Sequence, residues 1–279
     1  MKLIEQSAEL WQQGWKEDDI WNHIARCTRV CYQSVPKSDK ENSKDFCERT
    51  ILKNKHDAML EHGTVYLRLS TMKGTGFFIT NPYSKVITDD KGLYNITTNV
   101  RVLLENNMMD LLENVCEPTK YHHKRYTISC ITGIDISREF NRHRVHSIAE
   151  QSTRYCNFSK DRFGREIIFI KPYFYDNLSP VARQYFDKSL KRSEKDYLQM
   201  CEFGCSAQEA RKLLPLDTKT HLVHTAFIGD WNRWLSIRLF EVTGKVYPDM
   251  KILAAKVANA LDGVDDAKEG GNNVFSSGY

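Results

Sequence analysis

The chain has 279 residues, of which 41% are hydrophobic and 27% charged, and a formal net charge of +4. These values are typical of a soluble globular protein that can bury a sizeable core. The weak positive charge does not by itself indicate nucleic acid, although it suits small anionic ligands. No stretch approaches the apolar length that spans a bilayer, and the first residues do not resemble a secretory signal. We therefore expect a cytoplasmic protein without a membrane partner.

Eight cysteines occur in the sequence. For a chain of this length without a signal peptide, reduced thiols are expected rather than disulfides. Cys27 and Cys31, like Cys201 and Cys205, are four residues apart and would share a helix face. Such pairs could bind zinc, but the CxxC spacing of a zinc knuckle is absent. We therefore predict that they pack as small apolar side chains and that the protein has no metal site.

The N-terminal half shows both helical and strand patterns. Residues 3–30 and 44–61 are predicted helices, and residues 64–70 alternate like a strand. Residues 71–100 are rich in Gly, Asn, Thr and Asp and are predicted to form an irregular segment with turns. Residues 100–116 have helical spacing of leucine and methionine.

The middle of the chain is predicted to alternate strands and helices. Residues 127–136 and 166–174 are rich in β-branched side chains and are predicted strands. Residues 138–150 are predicted to form a helix between them, and residues 180–203 a long charged helix. Strands interrupted by helices indicate an α+β fold.

The C-terminal third carries helix boundary signals. Ser206 and Glu209 form a capping box for a short helix. Asp230 is predicted to cap a helix that ends at Gly244, and Pro248 to open the last helix. We predict a single domain over residues 1–279 with a flexible tail at 264–279.

One stripe of the predicted helix 138–150 concentrates ionisable groups. The stripe consists of Glu139, Arg142, His143, His146 and Glu150. It could be a solvated face with internal salt bridges, or it could line a polar ligand. Arg144 points toward the apolar side of this helix, where a charge must pair, reach solvent or bind something.

This segment also carries a family signature. Arg142-His143-Arg144, followed after seven residues by Ser152, resembles the signature of the flavin-dependent thymidylate synthases. The similarity continues through residues 150–155 and includes Glu139, which is Gln or Glu in the family.

Three other stretches extend the resemblance. Residues 56–62 resemble the segment that approaches the flavin, with Ala58 where the family has Thr or Ser. Residues 210–215 resemble an Ala-Arg-x-x-Leu-Pro motif whose arginine, here Arg211, helps to hold the nucleotide. Ile237-Arg238 resembles the step whose arginine contacts the uracil ring.

Arg238 also stands out without the resemblance. On a helix from Asp230 it lies within an otherwise apolar stripe, where a guanidinium must meet an anion or several acceptors. A buried ion pair is the alternative to ligand binding.

Two features depart from the family pattern. Phe227 and Gly229 occupy places where compact members carry Asn-x-Arg, and Arg233 replaces a usual Asn or His. Residues 71–125 lengthen the gap between Glu61 and the signature, which we interpret as an insertion.

The resemblance implies an antiparallel, curved sheet flanked by helices. It also implies reductive methylation of dUMP to dTMP, with FAD as cofactor and NADPH and 5,10-methylenetetrahydrofolate as cosubstrates. A homotetramer with active sites shared between subunits is implied as well. The implied dUMP-binding residues are Glu139, Arg142, Glu150, Gln151, Ser152, Thr153, Arg154, Arg211 and Arg238. The implied FAD-binding residues are His56, Ala58, Glu61, Arg142, His143, Arg144, Val145, Glu150 and Arg233.

Arg238 is the predicted catalytic residue. Because no cysteine lies inside the matched motifs, we expect no covalent cysteine nucleophile, although Cys156 comes close. An arginine beside the pyrimidine can stabilise the negative charge that develops there. Ser152 lacks a positioned base and is assigned to binding.

Alternative functions remain open from the sequence. Residues 121–126 interleave basic and aromatic side chains, as single-strand nucleic-acid surfaces do, but we expect no nucleic-acid partner from so mildly basic a chain. A flavin enzyme of this fold could also act on another nucleotide, and a degenerate, inactive family member is a third alternative.

Overall fold

Antiparallel sheets organise the chain in the computed structural model, which describes residues 1–36, 41–70, 75–262 and 264. The main sheet has the order β2-β6-β9-β7. Its strands are β2 (Ser7–Trp11), β6 (Arg125–Gly133), β9 (Lys219–Phe227) and β7 (Ser147–Glu150). A second sheet has the order β3-β5-β4. Its strands are β3 (Thr64–Leu69), β5 (Tyr94–Asn99) and β4 (Lys85–Thr88). The strands β1 (Lys2–Ile4) and β8 (Ile168–Ile170) form a parallel pair.

Helices pack around these sheets. Those of the first half are α1 (Glu17–Tyr32), α2 (Ser43–Cys47), α3 (Thr75–Thr80) and α4 (Val100–Glu105). Those of the second half are α5 (Ile134–Phe140), α6 (Pro180–Glu202), α7 (Ala207–Ala210), α8 (Ile228–Arg238) and α9 (Pro248–Leu261). Short 3-10 and π segments include Glu48–Leu52, Asp57–His62 and Met109–Asn114. The predicted α+β fold with an antiparallel sheet flanked by helices is confirmed.

Two large apolar clusters hold these layers together. Trp231 and Trp234 of α8 are buried with α9 against the main sheet. Ile20 and Ile24 of α1 are buried against the second sheet and the helical segments within residues 75–114. The predicted insertion therefore shares a core with α1, and its strands β4 and β5 extend β3.

The N-terminal helix prediction was wrong in its first half. Residues 3–30 were expected to be helical, but β1 and β2 precede α1, which begins at Glu17. Residues 7–11 pair with β6 over their whole length. This long-range pairing outweighs the local helical pattern.

The helix predicted over residues 138–150 was also wrong. Helix α5 ends at Phe140, a turn occupies residues 141–146, and β7 follows. Because β7 pairs with β9 and buries alternate side chains, the periodicity of the charged residues was misleading. The predicted single stripe of ionisable groups therefore does not exist as a helix face.

Helix α8 is displaced from its prediction. Phe227, not Asp230, is its N-cap, and it ends at Arg238 rather than Gly244. The chain turns beyond it, where Glu241 and Gly244 have φ values of 57° and 126°. Residues 44–61 form short helical segments, and the predicted strand 166–174 is only as long as β8.

Several local predictions were confirmed. The long helix α6 and the Pro248 start of α9 match the sequence signals, and Ser206 and Glu209 form the capping box. Apart from Val264, the predicted flexible tail lies outside the described residues. None of the described helices has the length and apolar character needed to cross a bilayer.

The cysteines are free thiols. Cys27 is buried in a cluster with Val30 and Ala149. Within the described residues, no group of three or more His, Cys, Asp or Glu side chains is arranged to hold a metal ion.

Candidate active site

The turn after α5 meets the end of α8. Arg238 donates from Nε to His143 Nε2 at 3.2 Å and from Nη2 to the carbonyl oxygen of Glu139 at 3.1 Å. Its Nη1 lies 3.4 Å from Glu139 Oε1, and the Arg238 side chain is only 15% exposed. The guanidinium is thus held by His143 Nε2 and by the carbonyl and carboxylate oxygens of Glu139.

His143 is neutral in this arrangement. Burial, followed by the charges of Arg238 and Arg233, lowers the pKa of His143 to about 4. A neutral imidazole can accept a hydrogen bond at Nε2, which an imidazolium cannot. The low pKa and the Arg238 contact are therefore consistent with each other.

A second group of predicted residues surrounds the loop after β7. The Ser152 backbone nitrogen donates to the carbonyl oxygen of Cys31 at 2.9 Å, and Ser152 Oγ accepts from the Arg154 nitrogen at 3.3 Å. Arg211 donates from Nη1 to Thr153 Oγ1 at 3.2 Å. The structure thus brings together two predicted nucleotide-binding segments that are far apart in the sequence.

The strand β9 contributes partners that the sequence did not reveal. Lys219 donates from Nζ to Gln151 Oε1 at 2.9 Å, and burial lowers the pKa of Lys219. Glu150 accepts from Thr220 Oγ1 at 3.1 Å and from Asn141 Nδ2 at 2.9 Å. These contacts fix the side chains of Glu150 and Gln151, and only knowledge of the β7–β9 register could have predicted the partners on β9.

A third group forms around Glu61. Arg101, within the predicted insertion, donates from Nη1 to Glu61 Oε1 at 2.6 Å. The buried Arg125 donates from Nη1 to the Glu61 carbonyl oxygen at 3.0 Å and from Nη2 to Ser147 Oγ at 3.0 Å. His56 and Ala58, at the start of the same 3-10 segment, are exposed.

Other predicted residues extend into solvent. They are Arg142, Arg144, Val145, Arg154 and Arg233. The prediction that Arg144 faces an apolar surface was wrong, because it lies in the turn instead of on a helix. Arg211 belongs to the second group and Arg238 to the first, and no contact joins them in the single chain.

Phe227 and Gly229 differ in their surroundings. Gly229 is exposed, whereas Phe227 is buried and two cations lie over its ring. The Lys85 ammonium is 4.5 Å and the Arg125 guanidinium 5.5 Å from the ring centroid. The Phe227 ring thus provides a surface for two positive charges.

Cys156 is poorly suited to act as a nucleophile. Its side chain is fully buried, and burial raises the pKa of its thiol. The sulfur lies 3.8 Å from the carbonyl oxygen of Cys31. A thiolate is the reactive form of cysteine, and this environment disfavours it.

The basic and aromatic segment 121–126 does not form an exposed basic stripe. His122 and Arg125 are buried. His122 Nε2 lies 3.0 Å from the carbonyl oxygen of Leu67, and Arg125 contacts Glu61 as described above. These two side chains are therefore committed to internal contacts.

Comparison with known proteins identifies the family. The family model Thy1, thymidylate synthase complementing protein, matches residues 97–262, which is more than half of the chain. The chain belongs to the Thy1 family. The match includes β7, the turn before it, and the helices that carry Arg211 and Arg238.

Curated relatives are distant. A flavin-dependent thymidylate synthase from Geobacter sulfurreducens is 23% identical over 158 residues, which are 56% of this chain and 64% of the relative. One from Synechocystis is 24% identical over 138 residues, 47% of this chain and 64% of the relative. This chain thus aligns with slightly less than two thirds of the length of each relative.

A solved structure is also similar. It is the UMP/dUMP methylase PolB from Streptomyces cacaoi bound with 5-Br UMP, with a TM-score of 0.45 and 15% identity. The similarity covers 93% of this chain and 90% of the other.

Proposed function

We propose that the protein is a flavin-dependent thymidylate synthase, which converts dUMP to dTMP. The cosubstrates would be 5,10-methylenetetrahydrofolate as carbon donor and NADPH as reductant. The observation that carries the proposal is the contact between Arg211 and Thr153. The contact joins two family motifs that both lie within the Thy1 match. It places Arg211 beside the loop after β7, whose hydroxyl groups and backbone N–H groups can donate hydrogen bonds.

This loop suits a nucleotide phosphate. Ser152, Thr153 and Arg154 follow the end of β7, and Arg211 approaches them from the segment after α7. Arginine binds phosphate oxygens in pairs, and hydroxyl groups add further donors. Glu139, Arg142, Glu150 and Gln151 would complete the nucleotide site.

The surroundings of Arg144 and Val145 fit a flavin. Arg144 and Val145 line a cavity of about 540 Å³, and the buried Arg125 and the ring of Phe227 line it as well. Positive charge suits the pyrophosphate of FAD, and the aromatic and aliphatic side chains suit a ring system. His56, Ala58, Glu61, Arg142, His143, Glu150 and Arg233 are the other proposed flavin-binding residues.

Arg238 is the proposed catalytic residue. When bound, the reduced flavin would supply the hydride that completes the methyl group. Arg238 would stabilise negative charge on the pyrimidine at N3, O2 or O4, which makes C5 nucleophilic without covalent addition. Glu139 and His143 hold its guanidinium in place, and the low exposure of the side chain strengthens its electrostatic effect.

We further propose a homotetramer with shared active sites. In one chain, the Arg211 group and the Arg238 group make no contact, and Arg142, Arg144 and Arg154 are exposed. Residues from another subunit could complete each site. Light scattering on the purified protein tests the assembly, and a monomer that is fully active would contradict it.

The flavin is tested by absorbance. The purified protein, as isolated or after incubation with FAD, is expected to show flavin bands after gel filtration. A folded protein that stays colourless and cannot be loaded with FAD would refute the proposed function.

A further inference from the structure

The insertion forms one wall of the cavity beside Arg144. Tyr83 and Lys85 of the insertion face Arg125, Arg144, Phe227 and Asp230 of the core across a space of about 540 Å³. Tyr83 is largely exposed, whereas the edge strand β4 holds Lys85 opposite Thr97 of β5. The insertion is therefore part of this site and not a separate appendage.

The cavity carries an excess of positive charge. Lys85, Arg125 and Arg144 line it together with a single carboxylate, that of Asp230. Burial raises the pKa of Asp230, while the charges of Lys85, Arg125 and Arg233 lower it. An anion in the cavity would balance the remaining charge.

Among the residues that the structure describes, the Arg125 side chain donates hydrogen bonds only to uncharged groups. Besides the Glu61 carbonyl oxygen and Ser147 Oγ, it donates from Nη1 to Thr64 Oγ1 at 3.2 Å. Burial lowers the pKa of Arg125 to about 10, so the group remains charged at neutral pH. A buried guanidinium without a carboxylate partner is costly, and a bound anion would reduce that cost.

Lys85 is held close to Arg125 by the ring of Phe227. Its ammonium lies 4.5 Å from the ring centroid, which also carries the Arg125 guanidinium at 5.5 Å. Within the part of the chain that the structure describes, Lys85 forms no ion pair with a carboxylate. Two like charges near one ring repel each other, so the arrangement favours an anion that binds both.

We propose that Lys85 of the insertion binds the pyrophosphate of FAD together with Arg125 and Arg144. This inference rests on the proposed flavin-dependent function and assigns a role to the insertion. Lysine binds phosphate as a compact point charge, while the two arginines provide planar donors. Tyr83, Val145 and Phe227 provide apolar contacts for an adjoining ring.

The test compares flavins with and without phosphate. The dissociation constants of FAD and riboflavin are measured by flavin fluorescence for the wild type and for Lys85→Met, Lys85→Arg and Lys91→Met. Lys91 is an exposed lysine of the same β4–β5 hairpin and serves as the matched control. We expect Lys85→Met to weaken FAD binding about tenfold and to leave riboflavin binding unchanged. Lys85→Arg and Lys91→Met are expected to bind FAD almost as the wild type does.

Three results would overturn the inference. Unchanged FAD affinity in Lys85→Met would show that Lys85 does not bind the pyrophosphate. An equal loss for FAD and riboflavin would show a structural role instead. A loss confined to the KM for NADPH, with FAD affinity intact, would assign the lysine to another phosphate. If the wild type binds neither flavin, the proposed function itself fails, which is distinct from these three results.

Discussion

Arg238 donates from Nε to His143 Nε2 at 3.2 Å, which joins the end of α8 to the turn that carries the Arg142-His143-Arg144 motif. Arg238 and the motif are remote in the sequence, yet one hydrogen bond connects them. The contact orients a guanidinium whose other partner is Glu139. Arg238 therefore pairs with Glu139, as the ion-pair alternative from the sequence predicted. It is also the proposed catalytic group.

Replacing Arg238 is expected to affect turnover far more than replacing Cys156. Arg238→Ala removes the charge proposed to stabilise the pyrimidine, and kcat should fall on the order of a hundredfold or more. Cys156→Ser changes a buried thiol that is disfavoured as a nucleophile, and kcat should fall less than tenfold. The measurement is kcat for dTMP formation with each variant. An inactive, folded Cys156→Ser protein beside an active Arg238→Ala protein would contradict the noncovalent mechanism.

Arg211 is expected to act through nucleotide binding. Arg211→Ala removes the guanidinium beside Thr153, and we expect the KM for dUMP to rise about tenfold or more. The adjacent Lys212 is exposed and provides the control variant Lys212→Ala, for which little change is expected. Steady-state kinetics with varied dUMP gives both values. Equal KM values for the two variants would remove Arg211 from the proposed site.

Acid is expected to destabilise the fold below pH 6.5. Burial lowers the pKa of His23 to about 4 and those of His62 and His146 to about 3, and it also lowers the pKa of His224. Unfolded histidine titrates at about pH 6.5, so between that pH and the folded pKa the unfolded state binds more protons. Each histidine then reduces the free energy of unfolding by up to about 1.4 kcal/mol per pH unit as the pH falls. Asp217, with a pKa raised to about 6, contributes in the opposite direction.

Urea unfolding at pH 7.5 and pH 5.5, at one protein concentration, measures this effect. We expect a lower free energy of unfolding at pH 5.5. Equal values at the two pH values would show that these histidines are not buried in their neutral form.

Gly63 is expected to be required for packing between α1 and the segment before β3. A Cβ at this position would lie 2.5 Å from Ile24 Cδ1 and 3.0 Å from Ile20 Cγ2, and both isoleucines are fully buried. Gly63→Ala should therefore lower the free energy of unfolding by about 1–3 kcal/mol. Gly76→Ala, where a Cβ would meet nothing within 4 Å, is the control and should cause no loss. Urea unfolding measures the free energy of unfolding of both variants. Equal values for Gly63→Ala and Gly76→Ala would show that Gly63 is not required for packing against α1.

Local signals in the sequence predicted several elements well. Pro248 and the capping box of Ser206 and Glu209 mark helix starts through their own backbone chemistry, so α7 and α9 could be found without tertiary information. The segment 138–150 failed for the opposite reason. Its charged residues recur with helical spacing, but residues 147–150 gain more from pairing with β9.

The contacts of the proposed site could be predicted only in part. The family motifs pointed to Thr153 and Arg211, which the structure brings into contact. Lys85, Arg125 and Lys219 were missed, since a lone basic residue in a strand gives no sign of what it will face. Their proposed roles depend on strand register and on how residues 71–125 pack, neither of which a local pattern encodes.

The most direct test of the proposed function is product formation from dUMP. The FAD-loaded protein is incubated with dUMP, 5,10-methylenetetrahydrofolate and NADPH, and nucleotides are separated by chromatography. We predict that dTMP forms and that omission of any one of these components abolishes it. A folded, flavin-loaded protein that forms no dTMP, or that methylates only another nucleotide such as UMP, would contradict the proposed function.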